Sequence, residues 1–219
     1  MKKITVAKSA GFCFGVDRAV KMVYNELEKK QHVATLGPII HNTDVVSDMQ
    51  RKGARIIETV SELKDNELVV IRSHGVGRDV YEQIAEKGNP MLDATCPFVA
   101  RIHKIVSEKA AEGYFILIAG DASHPEVQGI VGHCGENCMV FKDKTELQDF
   151  FEKKYTNLQK GVAIVAQTTY NIVVWDECLK IIPKDDPDIV IFDTICNATE
   201  ARQSDAEKLS READLMIVV

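Results

Sequence analysis

The 219-residue chain contains no run of about 18 apolar residues, the length a helix needs to cross a bilayer, so no transmembrane helix is expected. It also lacks a basic excess. At a formal net charge of −6, a nucleic-acid groove is a poor expectation, and an anionic ligand would need a local pocket of donors set against the global field. A secretory leader is not expected either. Lys2, Lys3 and Lys8 look like a charged leader start, but Ser9, Gly11, Gly15 and Asp17 break the stretch that follows. The expected location is therefore the cytoplasm, where six cysteines are thiols or metal ligands before they are disulfides. No Ser/Gly-rich linker or low-complexity tract divides the chain, and no flavin or nicotinamide fingerprint is recognisable.

What is present is alternation. Short apolar runs predict strands at 4–7, 33–36, 54–57, 68–72, 91–93, 115–119, 139–141, 163–166, 189–192 and 215–219. Helical patterns lie between them. Residues 18–30 repeat apolar positions at Val20, Val23 and Leu27, and residues 98–112 do so at Ile102, Ile105 and Val106. Residues 199–212 are strongly charged with one narrow apolar face. Strand–helix alternation of this kind implies βαβ units and mainly parallel sheets covered by helices, an α/β protein.

The alternation carries a long-period repeat. Cys13 precedes a helical stretch, a strand at 33–36, then Gly37 and His41. Moving on 83 residues gives Cys96, a helix, a strand, Gly120 and His124. A further 100 residues gives Cys196, a helix and the run 215–219. These periods are too long for a solenoid, so each repeat is a domain-sized unit. The expected division is a first unit at 14–96, a second at 97–196, and a partial third formed by 197–219 together with 1–13. The third unit reads as incomplete, and the natural polypeptide is expected to continue past Val219.

Cys13, Cys96 and Cys196 each open a helix, where the helix N-terminus favours the metal-binding thiolate. A cysteine is more often a buried small hydrophobe, but equivalent placement in three repeats argues for convergence on one centre. Three thiolates without a fourth fit an iron–sulfur cluster with one iron left for substrate. A zinc site with an open position is also compatible. Cys134 and Cys138, in His133-Cys134-Gly135-Glu136-Asn137-Cys138, have no second pair nearby to complete a zinc clip and read as loop thiols. Cys178 reads as packing.

His41, His74 and His124 all follow strands within a few residues, the strand ends at which α/β proteins bind ligands. Their imidazoles and the nearby backbone N–H groups could bind a phosphate. His32, His103 and His133 read as structural. Glu126 has two readings, a carboxylate near a helix start or a general acid. Thr168, in Gln167-Thr168-Thr169, could relay a proton or cap the next helix. Asn197 and Thr199 invite the same two readings.

Taken together, Gly11-Phe12-Cys13, His41-Asn42, Ser73-His74-Gly75-Val76, Asp93-Ala94-Thr95-Cys96-Pro97, His124-Pro125-Glu126-Val127, Gln167-Thr168-Thr169 and Ile195-Cys196 with Ala198-Thr199 resemble the 4-hydroxy-3-methylbut-2-enyl diphosphate reductase (LytB) family. That family acts last in the non-mevalonate isoprenoid route. The resemblance implies a trefoil of three pseudo-equivalent α/β units around a central [4Fe–4S] cluster, with Cys13, Cys96 and Cys196 as its ligands. It implies that His41, His74 and His124 line a diphosphate pocket, with Asn197 beside the third ligand, and that Glu126 and Thr168 deliver a proton. It implies an allylic diphosphate substrate and ferredoxin or flavodoxin as electron donor. The family continues past the strand equivalent to 215–219 with a glycine and a Ser/Asn-rich loop that adds hydrogen bonds to the diphosphate. Two other readings stay open, a quinolinate-synthase-like three-cysteine dehydratase and a non-catalytic cluster-binding sensor or fragment.

Overall fold

The computed structural model describes residues 4–29, 31–158 and 160–218. Two four-stranded sheets form the frame. The first unit runs α1 (Phe14–Glu28), β1 (Val33–Leu36), α2 (Thr43–Arg51), β2 (Arg55–Ile57), β3 (Leu68–Ile71), α3 (Arg78–Lys87) and β4 (Met91–Asp93). The second runs α4 (Pro97–Ala111), β5 (Phe115–Ala119), α5 (Pro125–Val131), β6 (Cys138–Phe141), α6 (Lys144–Lys153), β7 (Val162–Ala166), α7 (Ile172–Ile181) and β8 (Ile189–Ile191). The helix α8 (Asn197–Ser210) follows.

Both sheets are parallel and share one topology, β2-β1-β3-β4 and β6-β5-β7-β8. The central strands are unbroken apolar runs because helices cover both faces. Residues of β1, β3 and β7 are buried throughout. The first sheet packs Val33 and Val70 against α1 on one face, and Ala34, Val69 and Ile71 against Ile84 of α3 on the other. The second places Leu117 and Ile164 with Trp175 and Phe150 on one face, and Ile116 and Val165 with Ile102 and Ile130 on the other. Side-chain caps set several helix starts. Asn42 accepts from Val45 N at the start of α2, and Asp143 and Asn171 do the same for α6 and α7.

The expected strands are present to within a residue or so, except two. Residues 4–7 and 215–218 have no regular secondary structure and pair with no strand among the described residues. Their apolar side chains stand in solvent, with Ile4 89% and Ile217 81% exposed. An apolar run becomes a strand only where a neighbour completes its ladder. Val219 and Lys30, the last residues of an expected strand and an expected helix, lie outside the described residues. After Cys196, α8 is followed by no sheet strand among the described residues. The segment before Cys13 is tied to that helix, since Ser9 N donates to Asp205 Oδ2 at 2.9 Å and Arg202 donates to the Gly11 carbonyl.

The first two units meet backbone to backbone. A Cβ on Gly132, just after α5, would fall 2.5 Å from Gly77 Cα. His103 of α4 stacks on His133 at 4.2 Å and lies against Gly75. These histidines fill the junction, as a structural reading expects.

Candidate active site

Cys13, Cys96 and Cys196 are the N-cap residues of α1, α4 and α8. All three are free thiols of intermediate burial. The Cys96 sulfur lies against the first turn of α1, where a Cβ on Gly15 would come within 2.4 Å of it. Arg18 of α1 donates to the Thr95 carbonyl at 3.2 Å, and Cys96 N donates to the Ser73 carbonyl at 2.9 Å. Burial pushes the Cys96 thiol up. The N–H groups of Phe98 and Val99 pull it down, but the charges of Cys13 and Cys196 add to the rise. The helix N-terminus was expected to lower this thiol; at Cys96 desolvation outweighs it. Cys96 thus feels the charge of both other helix-capping thiols. A bound cation would reverse the sign of that effect, so the donor set suits a thiolate-ligated metal centre.

The three predicted histidines converge from separate loops. Ring centroids are 4.5 Å apart for His41 and His74, 5.5 Å for His41 and His124, and 5.4 Å for His74 and His124. One ring nitrogen of each lies within 4.8 Å of the others. His124 is the N-cap of α5, and its Nδ1 accepts from Glu126 N at 3.1 Å. That bond leaves Nε2 to face outward. Burial first, then the neighbouring rings and Arg72, lower His74 to about 3. His124 is lowered by burial, by His41 and by Arg72.

Arg72 was not singled out from the sequence. It ends the apolar run of β3, and its guanidinium crosses Gly37, where a Cβ would come within 2.6 Å of Nη1. Gly37 has φ +71 and accommodates both the turn and the close approach. The Arg72 Nε is buried and has no hydrogen-bond partner among the described residues. A buried cation beside three imidazoles favours an anion over a divalent metal at this cluster.

Glu126 and Thr168 form a buried pair. The Thr168 hydroxyl donates to Glu126 Oε2 at 2.8 Å, and Thr168 N donates to Oε1 at 2.6 Å. Burial raises the Glu126 carboxyl, and the two Thr168 hydrogen bonds only partly oppose it. The Thr168 carbonyl accepts from Cys196 N and from Thr199 Oγ1, each at 2.9 Å. Thr168 thus joins the Glu126 carboxyl to the turn that carries the third cysteine. Asn197 is the first residue of α8, next to Cys196. Thr194 was also missed. Its hydroxyl accepts from Ala166 N at 2.8 Å and donates to Ala166 O at 2.7 Å, replacing a ladder pair beyond the end of β8.

Cys178 is fully buried in the second core, as a packing residue should be. Cys134 and Cys138 share no ligand cluster with a third metal-binding side chain among the described residues.

Fold and site define an α/β protein of repeated parallel units, with a thiol capping each of three helices, an imidazole cluster with Arg72 beside it, and a buried carboxyl–hydroxyl pair. The family model for LytB protein matches residues 4–219. The 4-hydroxy-3-methylbut-2-enyl diphosphate reductase of Thermoanaerobacter sp. (strain X514) is 41% identical over 221 residues, covering 99% of this chain and 75% of that protein. The protein of that name from Clostridioides difficile (strain 630) is 39% identical over 217 residues, at 99% and 76% coverage. The solved E-1-hydroxy-2-methyl-but-2-enyl-4-diphosphate reductase from Plasmodium falciparum superposes with a TM-score of 0.86 at 29% identity, over 95% of this chain and 65% of that one. A solved (E)-4-hydroxy-3-methyl-but-2-enyl diphosphate reductase, described as the terminal enzyme of the non-mevalonate pathway, gives 0.76 at 38% identity, with 96% and 74% coverage. The chain belongs to the LytB family. It spans about three quarters of the length of its curated relatives. Among the described residues, no helix is long and apolar enough to cross a membrane.

Proposed function

We propose that the chain carries the reductase chemistry of its relatives, converting (E)-4-hydroxy-3-methylbut-2-enyl diphosphate to isopentenyl and dimethylallyl diphosphate. The balance is an allylic alcohol, two electrons and two protons giving an alkene and water. Cys13, Cys96 and Cys196 would hold a [4Fe–4S] cluster. When bound, it supplies single electrons and a Lewis-acidic iron that no protein side chain ligates. Ferredoxin or flavodoxin would be the external donor. We read residues 197–219 with 1–13 as the third unit, beside units at 14–96 and 97–196. The Ser9–Asp205 and Gly11–Arg202 contacts support that reading.

The chain's own residues divide the remaining work. His41, His74, His124 and Arg72 take the diphosphate. His74 is neutral in the free protein because it is buried among other positive or potentially positive groups; an anion at the cluster favours its protonation. Burial raises the Glu126 carboxyl above the ordinary carboxylate range, the direction a general acid needs. Oε1 is held as an acceptor by Thr168 N, so in the protonated carboxyl the proton would sit on Oε2 and the Thr168 hydroxyl, now a donor to Oε2, would turn to accept it. Passing that proton to Thr168 Oγ1 frees the threonine proton for the departing hydroxyl, which leaves as water. Asn197, next to Cys196, would orient the alcohol end of the substrate.

The observation that carries this reading is the bonding of Thr168, to Glu126 on one side and to the Cys196 turn on the other. The test is Glu126→Gln with the diphosphate substrate, dithionite and a mediator dye, under anaerobic conditions. Iron content should be unchanged while turnover drops by about 10²-fold or more. An unchanged rate removes Glu126 from the proton path, and hydroxyl loss without reductant turns the reading toward a dehydratase.

A further inference from the structure

We propose that Cys134 and Cys138 form a reversible redox dithiol, separate from the thiol triad, that closes to an intramolecular disulfide on exchange with a low-molecular-weight disulfide. The pair lies in the turn between α5 and β6, at the opposite end of α5 from His124 and Glu126. Gly135, between the two cysteines, has φ +70, so the chain reverses tightly enough to fold both sulfurs over one turn. Cys134 Sγ lies 3.2 Å from the Ile130 carbonyl, and Cys138 Sγ lies 3.8 Å from the Gly135 carbonyl. Both side chains pack on the same core cluster.

The two thiols differ in a way that orders the exchange. Cys134 is 3% exposed, whereas Cys138, the first residue of β6, is only partly buried. The Cys134 thiol beside it draws the Cys138 thiol below the ordinary range, while Cys138 and burial push Cys134 up. A partly exposed, readily ionised thiol beside a buried protonated one is the arrangement of an attacking and a resolving cysteine. The Cys138 thiolate attacks the small disulfide, forming a mixed disulfide and releasing one small thiol. Cys134 then loses its proton, attacks Cys138 Sγ and releases the second. The dithiol gives up two electrons and two protons, and the small disulfide is reduced to two thiols. No second cysteine pair lies nearby in the sequence to complete a zinc clip, which favours redox chemistry.

The experiment uses the cluster-loaded protein and oxidised glutathione under anaerobic conditions, followed by maleimide blocking and mass spectrometry. Trypsin has no lysine or arginine to cut at between Lys109 and Lys142, so one peptide carries both thiols and no other cysteine. The expected wild-type peptide is lighter by two hydrogens and takes up maleimide only after reduction. Cys134→Ser should retain one glutathione on Cys138, and Cys138→Ser should carry neither adduct nor disulfide. Thermal melts and retained brown absorbance check that each variant is folded and loaded. A wild-type peptide carrying two maleimides after exposure, or a disulfide from either thiol to Cys178 or to another chain, overturns the proposal.

Discussion

Replacing Gly15 with alanine tests how the thiol triad is assembled. A methyl group there would lie 2.4 Å from Cys96 Sγ and 3.1 Å from Cys96 Cβ. Non-bonded heavy atoms settle at roughly 3.5–4.0 Å, so the sulfur and α1 must separate by about 1 Å or more. Two relaxations are open. If α1 moves, the overpacking costs about 1–3 kcal/mol, and a chain of this size loses about 2–4 °C of Tm per kcal/mol. If the Cys96 side chain rotates instead, the fold is spared but the sulfur leaves its place opposite the other two thiols. Metal–ligand distances tolerate only about 0.2 Å of error. Both routes reduce metal uptake, and they differ in the accompanying melt. The assay is anaerobic reconstitution with iron and sulfide, with both counted per chain, and thermal unfolding of the same samples. Phe14→Ala, at a neighbouring position that is 65% exposed, is the control and should change neither. A Gly15→Ala chain that loads as much iron as the parent with an unchanged Tm would refute the placement of Cys96 against α1.

Three further outcomes are expected. Thr194→Val leaves Ala166 N and O buried without partners, so urea denaturation should show a loss of about 2–4 kcal/mol. A loss under about 0.5 kcal/mol, the range of ordinary surface changes, means that water replaces the hydroxyl. Burial and the adjacent His133 lower His103 from 6.5 to about 4 in the folded chain. Between those values the unfolded chain binds more protons, so stability is full above pH 6.5 and falls as the pH falls. His103→Phe keeps the ring stack and should remove about 2 kcal/mol of the loss seen between pH 7 and 5; an unchanged slope places the acid sensitivity elsewhere. Gly132→Ala drives a methyl into the Gly77 backbone and should destabilise the chain by about 1–3 kcal/mol. A neutral result in chemical denaturation means that the two units separate there without cost.

The sheets were legible because buried parallel strands are unbroken apolar runs, as in Leu68–Ile71 and Val162–Ala166. The runs at 4–7 and 215–218 carry the same pattern. What composition does not encode is whether a partner strand lies beside them, and among the described residues none does. In the candidate site, the helix-start cysteines and the meeting of His41 with His124 could be anticipated from their repetition, His74 from its strand end, and the Glu126–Thr168 contact from motif and position. Arg72 was not, because an arginine at a strand end is ordinary until Gly37 is seen beneath its guanidinium. Thr194 was hidden for a similar reason. Its role is to close a backbone ladder 28 residues away, and nothing in the local sequence signals that. The expected lowering of the Cys96 thiol failed because burial, which sequence does not state, opposes the helix N-terminus.

The three thiols come from positions 83 and 100 residues apart, whereas each sheet closes on hydrogen bonds made within one continuous stretch of chain. An order of biogenesis follows from this. The first sheet has all its strands once residue 93 has been made, and the second once residue 191 has, so each can condense while translation continues. The full set of sulfur donors does not exist until Cys196 emerges from the ribosome. Any centre that needs all three sulfurs would therefore assemble on sheets already complete, instead of serving as a nucleus around which they fold.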